Sequence, residues 1–263
     1  MCYHETHKYE CGLLHLVDSA DIGRMATLAY RIISKAGFES VSSEDLESRE
    51  PEYADDDYVG VFRQEDNMMA RSVGDHLKRN VTALLLTRCL QLAGWFPEHL
   101  QSVMDDDKVI HVAAVISKHI QSCSCNAYEV NEFIRRGHSL IDCQNVELGG
   151  AVYPSISLSN HSCCANTSRT NYGRFGVVHA VKSIFPNEKV YDNYGHFYHS
   201  DPKEKRQQVL AAQYFFTCNC QACKDDWPTY RDISRREPEF CCYVCKYRIG
   251  DSLKKVSKLK NLT

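Results

Sequence analysis

The sequence predicts an α+β protein, and three observations carry that expectation. In the first half, apolar residues recur at spacings of three and four, the signature of amphipathic helices. In the second half, short β-like runs alternate with glycine-bearing turns. Cysteines gather beside those runs at spacings that thiolate metal ligands use. A block of helices followed by a block of strands, rather than a regular alternation, argues for α+β over α/β.

Taken in order, Leu13, Leu14, Leu16 and Val17 open the apolar pattern, and Met25, Leu28, Ala29, Ile32 and Ile33 continue it as one face of a helix ending near Gly37. From Ser40 to Asp57 the chain turns acidic, contains Pro51 and reads as an exposed loop. A second helix is expected from Ser72 to Leu92, with Val73, Leu77, Val81, Leu84, Leu85 and Leu92 on one side. A third runs from about Lys108 to Gln121 on Val109, Val112, Ala113, Ile116 and Ile120. Asn126 to Arg136 reads as a short helix. Strands are then expected at Ala151–Ile156, Thr167–Tyr172, Phe175–Ile184 and Lys189–Tyr191, with Tyr172-Gly173-Arg174 as a hairpin turn. After Asp201-Pro202, KEKRQQVLAAQYFF reads as a helix with proline in its first turn.

Composition narrows the function. The 263 residues carry a formal net charge of −3, with 31 Lys plus Arg against 34 Asp plus Glu. That balance lacks the basic excess expected of a direct nucleic-acid binder. No apolar run approaches the roughly 20 residues of a membrane span. The opening MCYHETHKYEC lacks the apolar core of a secretory signal, so the expected location is cytoplasmic or nuclear. In that compartment thiols stay reduced, and the 14 cysteines point to zinc rather than to disulfides.

Cys218, Cys220 and Cys223 form C-x-C-x2-C, three of the four ligands that tetrahedral zinc takes. The best sources of the fourth are Cys163 and Cys164 in NHSCCAN. A closed four-thiolate site has no open position, so its role would be structural. His7 and Cys11, with Cys2 upstream, form a further candidate set, and Cys242-x2-Cys245 is a half-site. Cys89, Cys123, Cys125 and Cys143 read as core or incidental thiols.

The stretch from Gly149 to Cys223 contains YPSISLSNHSC, then DNYG, then QYFF-x-C-x-C-x2-C. This ordered set resembles the SET domain of the SET-and-MYND (SMYD) family of protein-lysine methyltransferases. The resemblance implies a SET-type β-fold with a pseudoknot-like core, a helical insertion and a zinc-bound post-SET segment. It divides the chain into a remnant of a MYND finger (1–11), the insertion (12–110), the SET core (111–200), the post-SET segment (201–226) and the start of a C-terminal region (227–263). It further implies that Asn160 and His161 hold S-adenosyl-L-methionine, that Asn126 also contacts it, and that Cys163 completes the zinc site. Tyr194 would stand at the methyl-transfer centre, contacting cofactor and amine, with Tyr214 and Phe216 lining the lysine channel and cofactor pocket. The front segment THKYEC resembles the end of a MYND finger.

The residues suit that chemistry. Methyl transfer to an amine is an in-line displacement that needs alignment rather than a metal or covalent nucleophile. An aromatic channel disfavours the ammonium form by desolvation and offers faces to cations. The partner implied is a protein bearing a target lysine. Two departures matter: no G-x-G element precedes the core, and Ala165 stands where the family places proline. With the short C-terminal region, they imply a chain shortened at both ends. They also support a second reading, a catalytically inactive zinc-stabilised scaffold in protein interaction or transcriptional regulation. A zinc hydrolase or deaminase is disfavoured because no H-E-x-x-H or paired H-x-E and P-C-x-x-C is present. The acidic run Glu44–Asp57 and the lysines from Lys254 to Lys260 read as solvated surface.

Overall fold

The computed structural model describes residues 7–13, 15, 22–54, 57–135 and 143–234. Its helices are α1 (Arg24–Ala36), α2 (Phe38–Val41), α3 (Tyr58–Phe62), α4 (Val73–Leu92), α5 (Asp107–Asn126), α6 (Lys203–Tyr214), α7 (Gln221–Lys224) and α8 (Tyr230–Ser234). Six strands follow α5: β1 (Ala127–Arg135), β2 (Cys143–Val152), β3 (Asn160–His161), β4 (Thr167–Tyr172), β5 (Phe175–Ala180) and β6 (Tyr191–Asp192). Helices α1–α5 precede the strands and α6–α8 follow them, a segregation that fits the α+β arrangement the patterning predicts. Among the described residues no helix is long and apolar enough to cross a membrane.

Local chemistry sets the helix ends. Gly37 closes α1 at φ +81°, a backbone region that side chains disfavour. The Ser72 hydroxyl accepts from Asp75 N at the start of α4, and the Asp106 carboxylate accepts from Lys108 N at the start of α5. Helix α5 lies against both α1 and α4. Ile33, Leu86, Leu90, Val112 and Ile116 are fully buried where these three meet. Phe38 packs its ring 5.6 Å from the rings of both Trp95 and Phe96, which closes one end of this core.

Helix α4 corrects the expected orientation. Val73, Leu77, Val81, Leu84, Leu85 and Leu92 are exposed, and the buried face is Ala83, Leu86, Thr87, Cys89, Leu90 and Gln91. Polar residues on the inner face explain the reversal. The Gln91 amide donates to the carbonyls of Leu100 and Val103, 2.7 Å each, and the Thr87 hydroxyl donates to Ala83 O at 2.8 Å. Carbonyls of the segment after the helix need the Gln91 donor, the Thr87 hydroxyl is satisfied within the helix, and a count of apolar residues cannot show either.

Two more expectations change. The segment read as a short helix from Asn126 is strand β1, held over its whole length by antiparallel pairing from Ala127↔Val152 to Arg135↔Cys143. Its Tyr128, Val130, Phe133 and Ile134 are types that favour strands, the first two half-buried and the last two exposed, and pairing overrides local helix preference. The acidic loop is anchored rather than wholly exposed, because Val41 and Leu46 are buried beneath it. Asp57 caps α3 and also accepts from Glu52 N and Tyr53 N at 2.9 Å. Among the described residues of this segment, Val41 and Leu46 join the core while Glu44, Glu47, Glu50 and Glu52 lie at the surface.

The strands form three two-stranded ladders: β1 with β2 antiparallel, β3 with β6 parallel, and β4 with β5 antiparallel. Tyr172 pairs with Phe175 across Gly173-Arg174, with Gly173 at φ +58°, which is the expected two-residue hairpin turn. The β3–β6 pair matters most for the site, since it joins Asn160 to Tyr191 and His161 to Asp192 although 31 residues separate each pair.

Candidate active site

The cysteine cluster is the more tightly built of two neighbouring sites. Cys163, Cys218, Cys220 and Cys223 bring their sulfur atoms within 4.8 Å of one another. Leu210 and Ala222, both fully buried, pack behind them. Gln207 on α6 clamps Cys218 from both sides, donating to its carbonyl at 2.6 Å and accepting from its amide at 2.8 Å. Arg206, fully buried on the same helix, directs its guanidinium to Cys223 Sγ at 3.6 Å and to the carbonyls of Asp201 and Tyr198. A hydrogen bond from Cys163, with help from His161, pulls the Cys218 thiol below its ordinary value, while the Cys163 thiol is held up as the proton-bearing partner. Four thiols beside a buried guanidinium fit a closed zinc site with structural purpose. Cys164 stays outside it and takes a contact from Lys182 Nζ at 2.8 Å.

At the front of the chain, His7 lies 3.8 Å from Glu10, whose carboxylate takes a two-pronged interaction from Arg31. Cys11 is exposed. Among the described residues no third metal-capable group joins His7 and Cys11, and Cys2, the other member of that candidate set, lies outside them. Cys242 and Cys245 also lie outside the described residues.

Beside the thiolate cluster is a cavity of about 410 Å³, where the end of α5, the start of β1, β4, β6 with the turn after it, and the end of α6 converge. Tyr194 and Tyr214 line it with ring centroids 4.8 Å apart. The Tyr194 hydroxyl donates to Ser159 O at 3.0 Å, and that of Tyr214 reaches Tyr194 O at 3.5 Å. Burial raises the Tyr194 phenol above its ordinary value and pushes Tyr214 up to about 12. Both therefore remain neutral hydroxyls near pH 7, able to donate or accept but not to act as phenolates.

The other sequence-predicted residues divide. Asn126 lines the cavity at the end of α5, and its amide donates to Glu65 O at 2.7 Å and Ser122 O at 2.8 Å. Asn160 is exposed on β3. Phe216 stands behind the tyrosines, 6.0 Å from the His161 ring and 6.5 Å from those of Tyr194 and Tyr214. Asn160, His161 and Phe216 are not part of the cavity wall. His161 is buried between the two sites: its Nδ1 accepts from Tyr194 N at 3.1 Å, and its Nε2 faces Cys163 Sγ at 3.4 Å. Because an amide must donate, Nδ1 is the acceptor and the ring proton sits on Nε2, directed at sulfur.

Among the cavity residues that the sequence reading did not single out are Tyr128, Arg169 and Asp192. Tyr128 faces the cavity from β1, and the Arg169 guanidinium lies 4.6 Å above its ring. Asp192 lines it from β6. Tyr128 was hidden by the helix assignment of its segment. Asp192 stands in plain view within DNYG, but only the fold shows that it lines the cavity.

No family model matches the chain. Among curated proteins, it is 31% identical over 149 residues to N-lysine methyltransferase SMYD2 of Bos taurus, covering 57% of the chain and 30% of that protein. To Protein-lysine N-methyltransferase SMYD4 of Mus musculus it is 30% identical over 136 residues, covering 51% and 17%. To N-lysine methyltransferase SMYD2 of Gallus gallus it is 40% identical over 87 residues, covering 33% and 20%. These matches reach at most 30% of the length of the relatives concerned. Over about half of its own length, then, the chain is similar to the lysine methyltransferases SMYD2 and SMYD4.

Proposed function

We propose that this chain carries the SET core of a protein-lysine N-methyltransferase acting in the cytoplasm or nucleus. The observation that carries the reading is the Tyr194–Tyr214 pair, two neutral phenols with ring centroids 4.8 Å apart in the wall of a cavity, in a chain similar over about half its length to lysine methyltransferases. When bound, S-adenosyl-L-methionine supplies an electrophilic methyl carbon on a sulfonium. Asn160, His161 and Phe216 would hold it on one side of the tyrosines, with Asn126 and Tyr194 reaching it from the cavity. Tyr194, with its own proton committed to Ser159 O, keeps an oxygen lone pair to orient the incoming amine. Tyr214 closes the channel wall and excludes water, which favours the uncharged amine.

In this reading the four cysteines hold zinc and supply folding free energy, as closed thiolate sites do. His161 then has two duties. Its ring fixes the backbone of the Tyr194 turn while its Nε2–H neutralises part of the thiolate charge, so the metal site and the reacting centre share one rigid support.

The experiment is calorimetric binding of S-adenosyl-L-methionine to the zinc-loaded chain, followed by methyl incorporation into lysine of a core-histone mixture. Binding that disappears in the double change Asn160→Ala and His161→Ala is expected. Incorporation should fall by about a hundredfold or more in Tyr194→Phe. A folded, zinc-containing chain that neither binds the cofactor nor methylates lysine overturns the proposal.

A further inference from the structure

The cavity contains a carboxylate that the proposed methyl-transfer roles do not use. Asp192 is 6% exposed. Its Oδ1 accepts from Asn193 N at 2.7 Å, but its Oδ2 has no hydrogen-bond partner among the described residues. Arg169, whose charge acts on it, is engaged elsewhere, with Asn171 Oδ1 at 2.9 Å, Glu129 O at 3.3 Å and the face of Tyr128. An orphaned buried carboxylate oxygen is costly, and a ligand that brings donors to it recovers that cost. Around it stand the rings of Tyr128, Tyr194 and Tyr214, which also line the cavity. A carboxylate ringed by aromatic faces and hydroxyls is suited to a compact cation with several N–H donors.

Resting on the lysine-methyltransferase reading, we propose that Asp192 recognises the ε-ammonium group of the substrate lysine through its free carboxylate oxygen. A primary ammonium could also be the α-amino group of the cofactor. The substrate is favoured because Asn160, His161 and Phe216, the residues expected to carry most of the cofactor, stand outside the cavity that Asp192 lines. Burial raises the Asp192 carboxyl above the usual carboxylate range, against the opposing pull of the Asn193 amide, Arg169 and His161. The carboxylate is therefore a better proton acceptor than an exposed one. Transfer from the ammonium nitrogen to Oδ2 breaks one N–H bond and forms one O–H bond. The ion pair becomes a neutral acid–amine pair of unchanged total charge, an exchange that a desolvated site favours.

The test compares two probes on the full zinc-loaded chain, Nα-acetyl-L-lysine methylamide and its norleucine counterpart, which lacks the amine, by ligand-observed NMR titration. The lysine probe should bind about tenfold or more tightly, the worth of one charge-assisted hydrogen bond. Asp192→Asn, checked for zinc content and melting temperature, should bring the ratio to about one, while S-adenosyl-L-methionine affinity stays within about twofold. Asp192→Glu, which retains the charge, should keep most of the selectivity. Equal binding of the two probes to the unaltered chain, or unchanged selectivity in Asp192→Asn, overturns the proposal. Loss of cofactor binding alone does so too, by moving the carboxylate to the cofactor. Methyl transfer is scored separately: amine selectivity without transfer keeps the recognition role and sinks the enzyme reading, and transfer with an unchanged KM in Asp192→Asn does the reverse.

Discussion

Replacing Arg206 with methionine is the most informative single perturbation of the scaffold. The side chain is fully buried, and its guanidinium serves Cys223 Sγ, Asp201 O and Tyr198 O together. Methionine fills similar space but leaves one sulfur and two carbonyls without a donor. Each hydrogen bond to a charged group is worth about 1.5–3 kcal/mol, and breaking a buried charge pair from one side costs about 3–5 kcal/mol. Relief of the guanidinium's own desolvation works in the other direction, and its Nε is already unpartnered. The net expectation is a loss of about 3 kcal/mol. At about 2–4 °C per kcal/mol for a domain of this size, the melting temperature should fall by about 6–12 °C. Circular dichroism of the zinc-loaded chain measures this, and the rate of zinc transfer to a chelator should rise alongside. Arg206→Lys should recover only part of the loss, because an ammonium cannot fork to three acceptors. A melting temperature within about 2 °C of the unaltered chain, with unchanged zinc release, would show that Arg206 does not hold the thiolate cluster.

Other expectations test the fold. On α4, Leu77→Gln should change stability by no more than about 0.5 kcal/mol, whereas Leu86→Ala should cost about 2–5 kcal/mol in urea unfolding; the reverse order would restore the face expected from the sequence. Gly176→Ala should cost about 1–3 kcal/mol, because an added methyl would meet Ile156 Cδ1 at 2.9 Å and the Tyr153 ring at 3.2 Å; an unchanged unfolding midpoint would contradict that packing. His119, fully buried against Tyr58, has its pKa lowered to about 3 by burial. The unfolded chain therefore binds the extra proton first as pH falls below about 6.5, and stability declines from there towards pH 3. From pH 7 to pH 5 this group alone should remove about 2 kcal/mol. His119→Gln, whose carbonyl can still accept from Tyr58, should show a shallower loss over the same range. Parallel profiles for the two proteins would refute the assignment.

Each level of description was legible to a different depth. The α1 and α5 helices could be read because their apolar spacing matches a buried face, and the β4–β5 hairpin because Gly173 marks its turn. The buried side of α4 could not, since Gln91 is inside to donate to the carbonyls of Leu100 and Val103, nine and twelve residues further on, and Thr87 beside it is satisfied by Ala83 O one turn back. Strand β1 was misread for a related reason: its identity depends on pairing with β2, and local propensity carries no information about that partner.

By itself, the sequence determined the chemistry available to this protein: three cysteines at metal spacing, an NH pair, a DNYG box and a QYFF run in a fixed order. Spacing and residue type are local, so they survive reading without coordinates. Only the tertiary structure decided which of these groups meet. The parallel β3–β6 pair sets His161 beside Asp192, the α6 helix delivers Arg206 to the thiols, and Cys163 rather than Cys164 turns inward. Those choices follow from register and burial across the chain, where closing distant segments around one core fixes the direction of each side chain.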